Sequence, residues 1–394
     1  MIYIFIFFLL LFFSFRYDIC GKTKYCNFCY KAVLVLFILV AGLRWRLGTD
    51  TPSYIYHFYH DIPLLDKLTE EELGFGAKPL WNLLNSLVKT LGGKYYIVQL
   101  IESAFVNVLV FCYIKKHSHY IFTCLFFYYL TMYFSLNMEV MKAAMSIVVC
   151  FYANDYVLQK RWVKAYFLYI IAVLFHPQVI IIMLMPLFLK LRFNWLGTVG
   201  LVMLFFIGHI IQEKFGDYLM LFELEDSISD KAEDLAESER YLGQEHSQVF
   251  MLKSIYIYIV YGCICLWYMK RHTMSKVLQF EPFVIFYVGF YVLAVNVYIS
   301  YRFSMYYAIY LVLIISEMFV DVIKNTPKLF LGLSYIRSFA IVLPFVLLVG
   351  QHLVSKSFRY YPYSSVINRT VDKYREQRGK KARPNWPVAS EKEY

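Results

Sequence analysis

Apolar runs of membrane-spanning length recur from residue 2 almost to residue 352, and this recurrence restricts the fold more than any other feature. Inside hydrocarbon every backbone N–H and C=O must be satisfied within the chain, so runs of this kind read as helices. The expected fold class is all-α: a polytopic helical membrane protein with about 12 transmembrane helices, in a range of roughly 10 to 13. Composition agrees, since 60% of the 394 residues are hydrophobic, 20% aromatic and only 17% charged, which a soluble domain of this length does not need. The first run, Met1 to Phe15, has no basic stretch before it and no small-residue cleavage site after it, so it reads as a retained helix rather than a signal peptide.

The net charge of +11, from 39 Lys and Arg against 28 Asp and Glu, does not point to nucleic acid. The basic residues fall in short turns between apolar runs: 16–31, Lys115 to His119, Lys160 to Lys164, Lys190 to Arg192, Lys270 to His272, and Lys324 with Lys328. Such turns mark the cytoplasmic side. Two larger loops then fall outside, about 46–94 and 213–248; the second holds eleven acids against Lys214, Lys231 and Arg240, a net of −8. Within the first, Trp81 to Val88 reads as a short amphipathic helix lying on the membrane. His176-Pro177 divides the run 165–189 into two segments, because proline removes a backbone donor and ends the preceding helix. Residues 1–352 form a single polytopic membrane domain. Residues 353–394 form a basic, flexible tail that the helix count places outside, against the rule that basic segments stay inside.

Five of the eight cysteines lie in apolar runs, where thiols are ordinary packing groups, and Cys26-x-x-Cys29 lacks the second pair a zinc site needs. No metal or cofactor is expected. Polar chemistry concentrates instead between Gly42 and Tyr54, where an apolar run ends in Arg44 and Arg46 beside Asp50. The orientation brings Arg44, Arg46, Asp50, Tyr54, Asn137, Lys142, His176 and Arg302 to one membrane face. Guanidinium groups there suit phosphate oxygens, which they bind bidentately. Simpler roles stand beside this one: interfacial anchoring for the arginines, pairing with Arg44 for Asp50, and a helix-end cap for His176.

Arg44, Gly48, Asp50 and Tyr54 reproduce the pattern Arg-x-x-x-Gly-x-Asp-x-x-x-Tyr that opens EpsG-family membrane proteins, and the chain resembles a Wzy-like polysaccharide polymerase. Phe134 to Lys142 is similar to that family's Asn-containing helix start, with Lys142-Ala143 where Arg-Gln is usual. Phe175-His176, Arg302 with Tyr306, and Tyr361-Pro362-Tyr363 extend the likeness, while Lys78 stands at a frequent Glu. The resemblance implies a membrane glycosyltransferase that polymerises undecaprenyl-pyrophosphate-linked repeat units into capsular, exopolysaccharide or O-antigen chains. It would act at the outer face of the bacterial inner membrane. By the same resemblance Arg44 and Arg302 bind pyrophosphate with Arg46 secondary, and Asp50 or His176 serves the acceptor. Tyr54, Asn137, Lys142 and Tyr306 contact substrate. Implied partners are the lipid-linked oligosaccharide, membrane lipid, and a chain-length regulator and flippase of the same pathway, with no nucleic acid. A flippase or transporter of lipid-linked sugars, an O-antigen ligase or another lipid-dependent glycosyltransferase are the alternatives.

Overall fold

Prolines set several of the helix starts: Pro52, Pro79 and Pro282 each occupy the first turn of a helix, where the missing N–H costs nothing. The computed structural model describes residues 2–48, 50–74, 77–222, 245–272, 277–297, 300–324, 336–346, 360 and 362–369. Most of the acidic loop, Lys328, Tyr361 and most of the basic tail lie outside the described residues.

The chain divides into two units, Met1–Leu184 with Ile315–Tyr394, and Met185–Ile314. In the first, α1 (Ile2–Phe13) continues through a π-helical stretch, Ser14–Ile19. It is followed by α2 (Cys26–Gly42), α3 (Thr51–His60), α4 (Glu70–Leu73), α5 (Pro79–Thr90) and α6 (Tyr95–His117). Next, α7 (Ile121–Tyr128) passes into π-helical stretches Tyr129–Tyr133 and Ser135–Glu139, ahead of α8 (Met141–Leu158), α9 (Trp162–Phe175) and α10 (Val179–Leu184). The second unit holds α11 (Trp195–Phe222), α12 (Glu245–His272), α13 (Glu281–Ala294), α14 (Tyr301–Ser304) and the start of α15 (Ala308–Lys324). The rest of α15 and α16 (Ile336–Val346) belong to the first unit. Among the described residues there is no strand, only one isolated bridge.

Two described helices, Ile2–Ile19 and Tyr95–His117, are both long and apolar enough to cross a bilayer. At about 1.5 Å per residue, the 23 residues of α6 reach roughly 34 Å, more than a hydrocarbon core of about 30 Å. Seven further apolar helices are shorter, Val179–Phe188 the shortest, so the expected twelve crossings do not stand out as twelve full-length helices among the described residues. The division at His176-Pro177 is present, between α9 and α10.

Burial is inverted relative to a water-soluble bundle. On α6, Gln99, Glu102, Ser103 and Asn107 are buried while Ile101 is exposed, and on α1 the aromatic rings of Phe5, Phe8 and Phe12 face outward. An exposed apolar surface of this extent is consistent with a helical membrane protein. The interior carries the hydrogen bonds: Tyr133 Oη donates to the Phe37 carbonyl at 2.9 Å, Ser103 Oγ to the Ile38 carbonyl at 3.1 Å, and Tyr152 Oη to the Leu109 carbonyl at 2.9 Å.

Polar groups of the first unit separate to its two ends. One end gathers the basic turns: Asp18 accepts from Thr123, Asp155 accepts from Tyr113, Lys116 and His117, and Lys324 lies over the Tyr120 ring. The other end holds residues 43–95, where Lys89 Nζ donates to the carbonyls of Tyr59 and Ile62 and folds the loop against α5. The opening of the tail joins this second end. Trp45 N–H donates to the Ser364 carbonyl at 2.8 Å, and Val366 N–H to the Leu43 carbonyl at 2.9 Å. Residues 364–369, expected to be mobile, are therefore paired with a segment more than three hundred residues away, and the tail starts at the motif's end of the unit.

This arrangement predicts a labelling pattern. In a cysteine-free background, cysteines at Leu91 and Ile367, 78% and 85% exposed, should react with a membrane-impermeant maleimide in intact cells. A cysteine at Val163, 86% exposed near the other end, should react only after permeabilisation. Labelling of Ile367 together with Val163 instead of Leu91 would contradict the shared end.

Candidate functional site

The turn after α2 is built on two left-handed residues, Arg46 (φ 49°) and Gly48 (φ +99°). Gly48 lies so close to the carbonyl oxygen of Met138 that a Cβ would overlap it. That carbonyl belongs to the π-helical stretch Ser135–Glu139, which Asn137 fixes: its amide donates to Tyr128 Oη at 3.1 Å and the Tyr133 carbonyl at 3.0 Å, and its oxygen accepts from Asn107. The glycine of the motif and the asparagine of the later segment thus serve one contact between two parts of the chain.

Arg44 is 1% exposed. Its guanidinium spreads over three acceptors: Nη1 donates to the Ala41 carbonyl at 2.6 Å, Nε to the Leu47 carbonyl at 3.3 Å, and Nη2 to the Met141 sulfur at 3.1 Å. These acceptors, rather than Asp50, take up the arginine. Tyr95 Oη donates to the same sulfur at 3.2 Å. Two strong donors therefore converge on a thioether, a weak acceptor. Gln99, one turn along α6 from Tyr95, donates to the carbonyls of Gly42 and Arg44 at 2.8 and 2.9 Å.

Lys142, at the start of α8, sits 5.1 Å from the Tyr54 ring centroid and 5.8 Å from that of Trp81, and those two rings are 5.7 Å apart. The aromatic faces hold the ammonium by cation–π attraction. Burial pushes the Tyr54 phenol well above its usual range, and the nearby Asp50, Tyr95 and Glu102 push it the same way. Tyr54 is thus a hydrogen-bond donor at neutral pH. A narrow pocket beside it is lined by Arg44, Arg46 and Lys94 together with Trp45, Tyr59, Tyr95 and Tyr96, and Val366 of the tail forms part of the wall. The enclosed space is about 10 Å³, room for about one water. Arg369 of the tail stacks over Trp45 at 4.6 Å.

The first unit brings Arg44, Arg46, Tyr54 and Lys142 together. Asp50 stands at the N-terminal boundary of α3, its carbonyl accepting from Tyr54 N–H at 3.0 Å. Asn137 is wholly buried and engaged inside the protein, which gives it a positioning geometry rather than a surface for ligand. His176 caps α9, its N–H donating to the Ala172 carbonyl at 3.0 Å. Because α8 and α9 form a tight hairpin turning at residues 159–161, this end of α9 lies toward the start of α8, where Lys142 is. Arg302 belongs to the second unit, exposed on α14, and Tyr306 is buried in the same unit. Sequence reasoning gives Tyr95 only as a ring for sugar stacking or an interfacial belt residue and passes over Gln99 and Glu102, although polar groups spaced i, i+4 and i+7 inside an apolar run are the signal to look for. Lys94, Trp81 as a partner of Lys142, and the tail were missed as well.

The sequence pattern of the EpsG family matches residues 27–365, from the first turn of α2 to the tail residue that bridges to Arg44. The chain belongs to the EpsG family. This is a family of Wzy-like polysaccharide polymerases, membrane-associated proteins of polysaccharide biosynthesis whose activity is a glycosyl transfer. No curated protein and no solved structure matches the chain.

Proposed function

We propose that this EpsG-family protein polymerises undecaprenyl-pyrophosphate-linked oligosaccharide repeat units at the outer face of the bacterial inner membrane, as a multi-pass enzyme. The observation that carries this reading is the pocket at the motif, where Arg44, Arg46 and Lys94 meet the rings of Trp45, Tyr59, Tyr95 and Tyr96. Cations of this density suit a diphosphate, and aromatic faces suit the apolar faces of sugar rings. In the reaction, a hydroxyl of the incoming lipid-linked unit attacks the anomeric carbon of the growing chain. The bond from that carbon to the pyrophosphate oxygen breaks with its electron pair, and the hydroxyl proton passes to a base.

Each group then has work suited to its position. Arg46 and Lys94 meet the diphosphate at the mouth, and Arg44 with Tyr95 stabilises charge on the departing oxygen once a phosphate oxygen replaces the Met141 sulfur as acceptor. Lys142 and Tyr54 flank the sugar, and Asp50 and His176 are the bases nearest the surface. Entry of substrate widens the pocket and displaces the Val366 wall. A flippase and a chain-length regulator are the natural neighbours in such a pathway.

Deletion of the protein is expected to leave single repeat units on the carrier or on the final acceptor, with the long ladder gone and restored by the intact chain. A flippase would instead leave units on the inner leaflet and none at the surface, and an undiminished ladder in the deletion strain would overturn the reading.

A further inference from the structure

A cavity of about 410 Å³ opens at the basic end of the first unit, the end opposite the motif. It lies where the first turn of α2, the last turn of α6 and the start of α7 meet, and Thr23, Asn27, Tyr30, Lys115 and Phe122 line it. Its volume falls within the range of small-ligand sites, about 300–1,000 Å³. No carboxylate lines it. Lys115 is exposed, with its ammonium 5.2 Å from the Tyr30 ring centroid, and it makes no ion pair or hydrogen bond among the described residues. Its neighbour Lys116, by contrast, is paired with Asp155 at 2.6 Å. The side chains of Thr23, Asn27 and Tyr30 likewise make no hydrogen bond among the described residues. The cavity therefore gathers an ammonium, two hydroxyls and an amide with no protein acceptor, a set of donors that suits an anion with several oxygens. Asp18, the acid of the adjoining turn, is turned to Thr123, whose N–H and Oγ1 both donate to its Oδ2. The same turn adds Arg16, Lys22, Lys24 and Lys31 to the positive field.

The surroundings of the cavity select the anion. Tyr25 and Phe28, beside it in the chain, are 63% and 73% exposed, and exposed rings among basic residues are the mark of a membrane interface. From Lys115 the exposed face of α6 runs back through Cys112 and Val108, so apolar surface continues from the cavity along the helix. A free phosphate would use the cavity alone, whereas a phospholipid uses both parts. We infer that this cavity binds the phosphate head group of an anionic phospholipid from the leaflet at this end, with an acyl chain along Cys112 and Val108. Lys115 meets the phosphate charge, and Thr23, Asn27 and Tyr30 donate to its oxygens. Anionic head groups attract basic segments at a membrane surface, and a bound one fixes the end of α6 at head-group depth. The inference does not depend on the transfer reaction.

The test uses the full-length protein in detergent, with phosphatidylglycerol or phosphatidylcholine added and the retained lipid counted by native mass spectrometry. Phosphatidylglycerol should be retained at concentrations where phosphatidylcholine is not. Lys115→Gln should weaken that retention at least about tenfold, the scale of one charge-assisted hydrogen bond. Asn27→Asp, which sets a carboxylate on the cavity, should weaken it too. Lys164→Gln is the control: Lys164 is also an exposed lysine at this end, 5.9 Å from the Tyr156 ring centroid and outside the cavity, and its loss should leave retention unchanged. Bound phosphatidylglycerol should also slow maleimide labelling of Cys26, which lines the cavity, and leave that of the exposed Cys20 as it was. Equal retention of the two lipids, or equal loss from Lys115→Gln and Lys164→Gln, would overturn the site. If inorganic phosphate protects Cys26 as well as the lipid does, the cavity takes a soluble phosphate and the phospholipid assignment is overturned.

Discussion

Replacing Gly48 by alanine is expected to remove polymer and to cut the abundance of folded protein sharply. At φ +99° an L-residue is strained, by roughly 1–2 kcal/mol for a left-handed backbone. The added methyl would overlap the Met138 carbonyl oxygen, and backbone cannot step aside as a flexible side chain can. Asn137 and the closing bond from Val140 N–H to the Ser135 carbonyl hold that stretch in place, so overpacking adds about 1–3 kcal/mol. Together these approach half of a stability that is typically about 5–15 kcal/mol. Gly92→Ala separates the two causes: Gly92 also has a positive φ, +71°, but a Cβ there meets open space. Membrane abundance and ladder length for the two variants are the measurements. Gly92→Ala should carry the left-handed strain alone and lose much less than Gly48→Ala, and equal damage from both would show that contact with Met138 is not what requires the glycine.

That glycine also shows where sequence reading succeeds and where it stops. The motif from Arg44 to Tyr54 is legible because its residues are close in the chain and their spacing is distinctive. The break at Pro177 and the short helix around Trp81 are legible because proline chemistry and amphipathic periodicity act locally. What Gly48 touches is not legible, since Met138 is ninety residues away and reaches it through π-helical turns that no hydrophobic period announces. Arg44 carries the same lesson in another form: its charge and position suggested a group facing a ligand, yet the folded turn aims the guanidinium inward at its own carbonyls. The pairing of Ser364 and Val366 with Trp45 and Leu43 depends on contacts across almost the whole chain, and a polar, basic tail gives no local sign of it. Glu102 is the intermediate case. Its apolar surroundings were plain in the sequence, and a carboxyl at such a place was the clue, but only the structure shows that its neighbours along α6 are bonded and it is not.

Arg44→Lys is expected to reduce polymer about 100-fold while Arg302→Lys reduces it with abundance unchanged, and the difference between their causes is readable. Lysine keeps the charge but gathers its donors on one nitrogen where Arg44 spreads three over a planar fork, so it cannot reach all of the Ala41, Leu47 and Met141 acceptors at once. The Leu47 carbonyl keeps Thr51 Oγ1 and the Ala41 carbonyl keeps the Arg44 N–H, but each charge-assisted bond lost still costs roughly 1.5–3 kcal/mol, which lowers abundance as well as activity. Loss of a donor that acts on the departing pyrophosphate costs roughly 2–4 kcal/mol of transition-state stabilisation, independent of folding. Activity per folded molecule therefore separates the two: a purely structural Arg44 loses protein but keeps turnover, whereas a phosphate-binding Arg44 loses turnover in the molecules that remain. Arg302 is exposed and makes no hydrogen bond among the described residues, so its replacement should spare the fold and report on substrate alone. Arg271→Lys, exposed at the end of α12 with its guanidinium over the Trp267 ring, is the control for a basic residue of a predicted cytoplasmic turn. If all three variants give the same ladder per folded molecule, none of these guanidinium groups serves the diphosphate, and Arg44 is a staple of the motif turn.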